Sequence, residues 1–219
     1  MKRQAEPELM EDSAQVYAYA QADFSAPHTE FINRLRAFIN TPSFNGLVLD
    51  LGCGPGDISL KFALAFPNST IHAIDGSKAM IDYAQTLLIN NNVQLEFIHG
   101  KLPEATLPFS AYDLIFSNSL LHHLAEPMTL WHTIKRYAKP GASIMLMDLL
   151  RPNSTTAAQT LVETYATNEP ELLKRDFYHS LLAAYTQTEV QQQLVSAQLN
   201  FNVEQISDRH LLVTGLMPS

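Results

Sequence analysis

Short apolar runs and helix-spaced apolar stripes take turns along most of this chain. The runs at 47–51, 70–74, 94–98, 112–116 and 143–147 have the length and the Val, Ile, Leu and Phe content of strands. The run at 112–116 is broken only by Asp113, as a strand buried on both faces requires. Between the runs the period becomes helical. Phe31, Leu35, Phe38 and Ile39 make one stripe over 28–40, ended by Thr41-Pro42 because the residue before a proline avoids helical backbone. A helix over 57–66 stops at Pro67. Ser77 suits the N-cap of a helix carrying Met80, Tyr83, Ala84, Leu87 and Leu88 on one side. Pro127 opens another helix, and Pro140-Gly141 lies past its end. Such alternation implies a parallel sheet with right-handed crossovers.

The pattern changes after residue 150. Ala157, Leu161, Val162 and Tyr165 form one helical stripe, Leu173, Phe177, Leu181 and Ala184 another, with Pro170 between. The segment 151–185 therefore reads as a helical insertion. Thr186-Gln187-Thr188-Glu189 is a capping-box pattern for a helix to about 199, and two short strands follow at 201–206 and 210–215. Residues before about 23 are polar and expected to be loosely held, with Val16, Tyr17 and Tyr19 apolar enough to dock.

At 219 residues with 46% hydrophobic composition, a single domain with an ample core is expected. The formal net charge of −8 argues against a nucleic-acid partner, because phosphate-binding surfaces are basic. No apolar run reaches the roughly 18–20 residues that span a bilayer, and the start lacks an apolar signal core. Cys53 is the only cysteine, so no internal disulfide can form. A soluble, cytoplasmic protein without a membrane partner, as monomer or homodimer, is the expectation.

The chemistry concentrates where the first strand ends. Val48-Leu49-Asp50-Leu51 runs straight into Gly52-Cys53-Gly54-Pro55-Gly56, and a helix opens at Asp57. A strand, a tight glycine turn and a helix N-terminus form the layout that grips nucleoside-like ligands. Dinucleotide enzymes space these glycines G-x-G-x-x-G so that a pyrophosphate meets the helix N-terminus. The spacing here is G-x-G-x-G with a proline, which suits a ligand without phosphate. Asp75 closes the second strand 25 residues after Asp50, where a carboxylate can accept from both hydroxyls of a ribose.

On these residues the chain resembles the class I S-adenosylmethionine (SAM)-dependent methyltransferases of the small-molecule type, over about 47–215. The resemblance implies an α/β, Rossmann-like fold. Its seven-stranded, mostly parallel sheet has order 3-2-1-4-5-7-6 and flanking helices, with a helical cap insertion. The domain would comprise an N-terminal helical segment 1–45, a core of 46–150 and 186–219, and the cap 151–185. The resemblance also implies SAM as cofactor and S-adenosylhomocysteine as product. Gly52, Cys53 and Gly54 would supply backbone contacts to the methionine half, and Asp50 would steady the loop or reach the amino group. Asp75 would take the ribose diol, unless it is only a turn residue before Gly76. Gly76, Ser77 and Met80 would pack beside the adenine, and Asn118 would offer a backbone carbonyl near the sulfonium. The family often places an acid after the third strand. Here the stretch is His99-Gly100-Lys101-Leu102-Pro103, and lysine cannot accept a hydrogen bond. Lys101 and Leu102 would still cover the adenine, with Glu104 as a substitute acceptor.

SAM carries its methyl on a sulfonium, so in-line displacement needs chiefly alignment, and no catalytic base is assigned. Substrate-pocket candidates are Tyr17, Tyr19, His122, His123, Asp148, Arg151, Tyr178 and His179. No H-E-x-x-H-like spacing occurs, and no metal is expected. Ser117-Asn118-Ser119-Leu120 is unlike the N-P-P-Y tetrapeptide that grips planar nitrogens in nucleic-acid and amide methyltransferases. With the acidic charge, this favours a small organic acceptor. A SAM-binding lyase or cyclase, a non-catalytic SAM-binding partner protein and a dinucleotide oxidoreductase are the alternatives.

Overall fold

The computed structural model of the chain describes residues 1–6, 16, 19, 22 and 24–218. In order along the chain its elements are α1 (Ser25–Ile39), β1 (Leu47–Leu51), α2 (Asp57–Ala65), β2 (Thr70–Asp75) and α3 (Lys78–Thr86). Next come β3 (Leu95–His99), β4 (Tyr112–Asn118), a 3₁₀ turn (Leu121–His123), α4 (Met128–Tyr137) and β5 (Ala138–Leu149). The last are α5 (Thr155–Tyr165), α6 (Glu171–Ala183), α7 (Gln187–Ser196), β6 (Asn202–Gln205) and β7 (His210–Leu216).

The strands form one sheet of order β3-β2-β1-β4-β5-β7-β6. β1 to β5 pair in parallel, whereas β7 runs antiparallel to both β5 and β6. Alternation along each strand divides the core into two layers. Leu49, Leu51, Ile115, Ile144 and Leu146 meet Leu130, Trp131 and Ile134 of α4 and Val190 and Leu194 of α7. Val48, Leu114, Phe116 and Met145 meet Phe31 and Leu35 of α1, Phe62 of α2 and Ile81 of α3. Asp50 is two residues from Val48, so the pleat aims its carboxylate at the α2 layer.

The starts of α1 and β5 differ from the sequence reading. α1 begins at Ser25 rather than residue 28, with Pro27 in its first turn, where a missing N–H removes no helical bond. It ends at Asn40 in the left-handed conformation (φ 48°), whose N–H bonds to Arg36 O. β5 begins at Ala138, so Pro140-Gly141 lies inside the strand. Its pairing with β4 jumps from Tyr112↔Ala138 to Leu114↔Ser143, a bulge that takes up the proline and Gly141 at φ 77°.

Between β5 and α7, helices α5 and α6 share a small apolar cluster of Ala158, Val162, Leu181 and Leu182, with Phe177 and Tyr178 against it. Ser154 caps α5 by accepting from Ala157 N. Thr186 and Glu189 form the expected capping box on α7.

The first six residues are docked, contrary to the expectation of a loose start. Gln4 N donates to Leu182 O at 3.0 Å. Arg3 donates from Nε to Ala183 O (2.6 Å) and from Nη2 to His122 O (2.9 Å), and its guanidinium lies 4.3 Å from the Tyr185 ring centroid. Arg3 thus ties the end of α6 to the 3₁₀ turn after β4. No helix among the described residues is long and apolar enough to cross a membrane.

Candidate functional site

The strand order reverses between β1 and β4, and a cavity opens there at the strands' carboxyl ends, as in open α/β sheets generally. The glycine turn after β1 forms its floor. Gly52 N (2.8 Å) and Cys53 N (3.0 Å) both donate to Ile74 O, which holds the turn against the end of β2. Gly54 has φ 52°, and a Cβ built on it would enter open space, so the backbone itself faces the cavity.

Asp75 is the hinge of this arrangement. Its Oδ2 accepts from Gly54 N (2.9 Å) and its Oδ1 from Ser77 N (2.7 Å). The two readings of Asp75 are therefore not exclusive: it is a turn residue, and it also lines the cavity. A carboxylate has about four acceptor positions, so two bonds leave capacity on each oxygen.

Asp50 does not cap the loop amides. It accepts from Ser59 Oγ on α2 at 2.5 Å while lining the cavity, and it is only 2% exposed. Burial pushes its pKa up to about 7 against the Ser59 hydrogen bond, and Asp57 and Asp75 push the same way. Burial likewise raises the Asp75 carboxyl, although the Ser77 and Gly54 amides oppose it. Tyr19 is pushed up to about 12 by burial and by Asp57 and Asp75. Cys53 is raised well above the ordinary thiol value, first by burial and then by Asp50 and Asp75, and its buried thiol is no nucleophile. Three carboxylates, Asp50, Asp57 and Asp75, thus line one recess against a single lysine, Lys101.

The far end of the cavity is lined by Gly76, Ser77, Met80, Lys101 and Leu102. Ser77 accepts from Met80 N at 3.3 Å and so caps α3 as the sequence predicts. Glu104, the substitute acceptor, is exposed and lines neither this cavity nor the one beside it. Its turn carries Lys101 and Leu102 inward instead.

A second cavity adjoins the first. The two share Tyr19, His28, Asn118, Ser119 and His123. Phe24, Pro27, Met147, Leu149, Leu173 and Phe177 give the second cavity apolar walls from α1, β5 and α6. Glu30, Glu169, Asp176 and Arg209 line it too. So does His210, whose pKa burial and then Arg209 push down to about 4, leaving a neutral ring. On the shared wall, the side-chain Oδ1 of Asn118 is buried without a hydrogen-bond partner among the described residues. Ser119 adopts φ 59° directly after it, turning the chain across the strand ends.

Among the substrate-pocket candidates, Tyr19, His122 and His123 line the second cavity. Asp148, Arg151, Tyr178 and His179 line neither. Asp148 is 4% exposed and anchors the 3₁₀ turn by accepting from Leu121 N (2.7 Å) and His122 Nδ1 (2.6 Å). It does this without Arg151, which donates to Ala184 O (3.2 Å) and Glu189 Oε1 (2.7 Å) and so fastens α6 to α7. Tyr178 faces a groove between α5 and α6, and His179 is exposed. Tyr17 lies outside the described residues. The sequence reading missed His28, whose Nδ1 meets Asp57 Oδ2 where α1 crosses the glycine turn. It also missed Ser119 and Glu6. An i, i+3 pattern reads His28 as one more core position of α1, and nothing local marks the other two.

Residues 48–141 match a family model described as a methyltransferase domain. An uncharacterized methyltransferase of Mycobacterium bovis is 26% identical over 133 residues, covering 61% of this chain and 66% of that protein. The malonyl-[acyl-carrier protein] O-methyltransferase 1 of Ilyobacter polytropus is 32% identical over 143 residues, covering 64% of this chain and 50% of that protein. The chain thus spans between half and two thirds of these relatives' lengths. The crystal structure of a SAM-dependent methyltransferase from Aquifex aeolicus superposes with a TM-score of 0.71 at 20% identity, covering 95% of this chain and all of that one.

Proposed function

We propose that the chain is a class I SAM-dependent methyltransferase that binds SAM in the first cavity and methylates a small organic molecule held in the second. The observation that carries this reading is the Asp75 clamp. A carboxylate held by Gly54 N and Ser77 N, with acceptor capacity left, faces a recess joined to a second, mostly apolar one.

The residues fit the cofactor on three counts. SAM carries a sulfonium and an ammonium, and Asp50, Asp57 and Asp75 supply the countercharge that lowers the cost of their own burial when a cation arrives. Backbone at Gly54 is open to the methionine half. Asn118 Oδ1, without a partner among the described residues, stands on the wall between the cavities, where an acceptor can face the electron-poor methyl and sulfur. This assigns a side-chain atom to a position where the sequence reading offered a backbone carbonyl. Gly52 and Cys53 complete the methionine end. Gly76, Ser77, Met80, Lys101 and Leu102 enclose the adenine.

When bound, SAM supplies an activated methyl. The protein's own part is alignment and exclusion of water. Tyr19, His28, Asn118, Ser119 and His123 form the passage through which the methyl would meet the acceptor. Tyr19 stays a neutral phenol there, since its pKa is about 12. The acids Glu30, Glu169 and Asp176 outnumber Arg209 in the second cavity, which disfavours polyanionic acceptors. We read segment 151–185 as the acceptor-covering cap and place the protein in the cytoplasm.

Calorimetric titration with SAM and S-adenosylhomocysteine tests the reading. Micromolar binding that Asp75→Ala weakens at least tenfold is expected. A folded protein that binds neither compound would refute it. Product mass after incubation with candidate acceptors then separates methyl transfer from lyase or cyclase chemistry.

A further inference from the structure

Glu6, His122 and His123 bring three ligand-type atoms within 4.8 Å of one another. Glu6 Oε1 lies 3.0 Å from His123 Nδ1 and 3.6 Å from His122 Nε2. Two ligands of a tetrahedral ion, each roughly 2.1 Å from the metal, stand roughly 3.4 Å apart, between those two separations. His123 Nδ1 is buried and makes no well-formed hydrogen bond among the described residues, although Glu6 Oε1 lies close to it. A plain His–Glu contact would leave that nitrogen unsatisfied, whereas an ion between the two would use it.

The surroundings orient the set as metal sites are oriented. Asp148 Oδ1 takes the Nδ1 side of His122 at 2.6 Å, which leaves Nε2 to face Glu6. Ser180 Oγ donates to both Glu6 oxygens, at 3.0 and 3.2 Å. The Glu6 carboxyl is held below its ordinary value: burial opposes this, but the His123 and His122 contacts outweigh it. Arg3 is the nearby cation, and its guanidinium is engaged by the carbonyls of Ala183 and His122.

We propose that Glu6, His122 and His123 form a two-histidine, one-carboxylate site for a first-row divalent ion of the zinc or cobalt kind, set into the wall of the second cavity. Two imidazoles and a carboxylate are borderline donors, which suit Zn²⁺, Co²⁺, Fe²⁺ or Ni²⁺ better than Mg²⁺ or Ca²⁺. The donor set leaves one tetrahedral position free. His122, His123 and Ser180 line the second cavity, so that position is open to water or to an oxygen of a molecule lying there. Metal binding does not depend on methyl transfer. No spacing in the chain announces the site, because Glu6 arrives from more than a hundred residues before the histidine pair.

The test uses the full chain after chelator treatment, with no SAM or acceptor present. Zn²⁺ is followed by calorimetry and Co²⁺ by its visible absorption. One equivalent is expected to bind, with intense bands typical of a tetrahedral site for Co²⁺. Glu6→Gln and His123→Ala should each weaken Zn²⁺ at least thirtyfold, and Asp148→Asn about tenfold. Thermal melting verifies that each variant is folded, and Glu6→Gln keeps the side chain's size should His123→Ala fail. No saturable binding by the wild type, or binding that Glu6→Gln leaves unchanged, overturns the proposal.

Discussion

Asp50 serves two incompatible ends. It is a nearly fully buried acid whose pKa is about 7, so its charge is unfavourable in the folded state. Its folded pKa lies above the unfolded value of about 3.9, so the folded chain holds the proton more tightly. The stability this confers is complete below about pH 4 and is lost as pH rises through about 7. A cationic ligand reverses the preference and favours the charged form. Two outcomes are expected. Asp50→Asn should melt at a higher temperature than the wild type at pH 8, by scanning fluorimetry, yet bind SAM more weakly. Wild-type affinity for SAM should rise between pH 6 and 8, with protons released on binding at pH 6, measured by calorimetry in buffers of different ionisation enthalpy. Both effects should shrink in Asp50→Asn. The Asp75 carboxyl is also raised and adds to the trend with the same sign.

Among the elements, the start of α7 is informative because one residue does two jobs. Glu189 closes the capping box with Thr186 and also receives Arg151 at 2.7 Å. Thr186→Ala removes one cap bond and should cost about 1 kcal/mol, a shift of roughly 2–4 °C in the melting temperature. Glu189→Ala should cost more, since it also leaves the buried Arg151 without its carboxylate. The capping box was legible because it is local: four adjacent residues specify it. The β5 start was not. Pro140-Gly141 carries the local signature of a helix end. It sits in a strand because β4 and β7 lie on either side and a bulge absorbs the misfit.

On the scale of the molecule, residues 1–6 connect parts that the chain keeps far apart. Arg3 alone bonds to Ala183 and His122 and lies over Tyr185. Arg3→Ala should therefore speed amide exchange at 182–184 and around the 121–124 turn together, while the glycine turn at 52–56 keeps its protection, as hydrogen-exchange mass spectrometry would read. The sheet core responds differently. Leu114 is fully buried between β1 and β5, and Leu114→Ala should cost about 2–5 kcal/mol in denaturant unfolding, exposing the whole chain at once.

By itself the sequence determined the strand and helix alternation, the order of the sheet through a family resemblance, and much of the lining of the first cavity. Those features depend on residues close in the chain. Asp50, Gly52, Cys53 and Gly54 share one strand and turn, and Asp75, Gly76, Ser77 and Met80 share one strand end and helix start, so their nearness in the chain carries each group to the cavity together. The tertiary structure alone decided the other half. His28 reaches the glycine turn only because α1 packs across α2, and Glu6 reaches the histidine pair only because Arg3 docks its segment there. Asp148 and Arg151 are three residues apart at the end of β5, yet they anchor different elements, the 3₁₀ turn and α7. Tyr178 and His179 belong to a promising helix whose rotation turns them away from the cavity. Local pattern carries the backbone's hydrogen-bonding and burial needs. Which distant side chains converge is set by packing and loop closure, and no spacing along the chain records those.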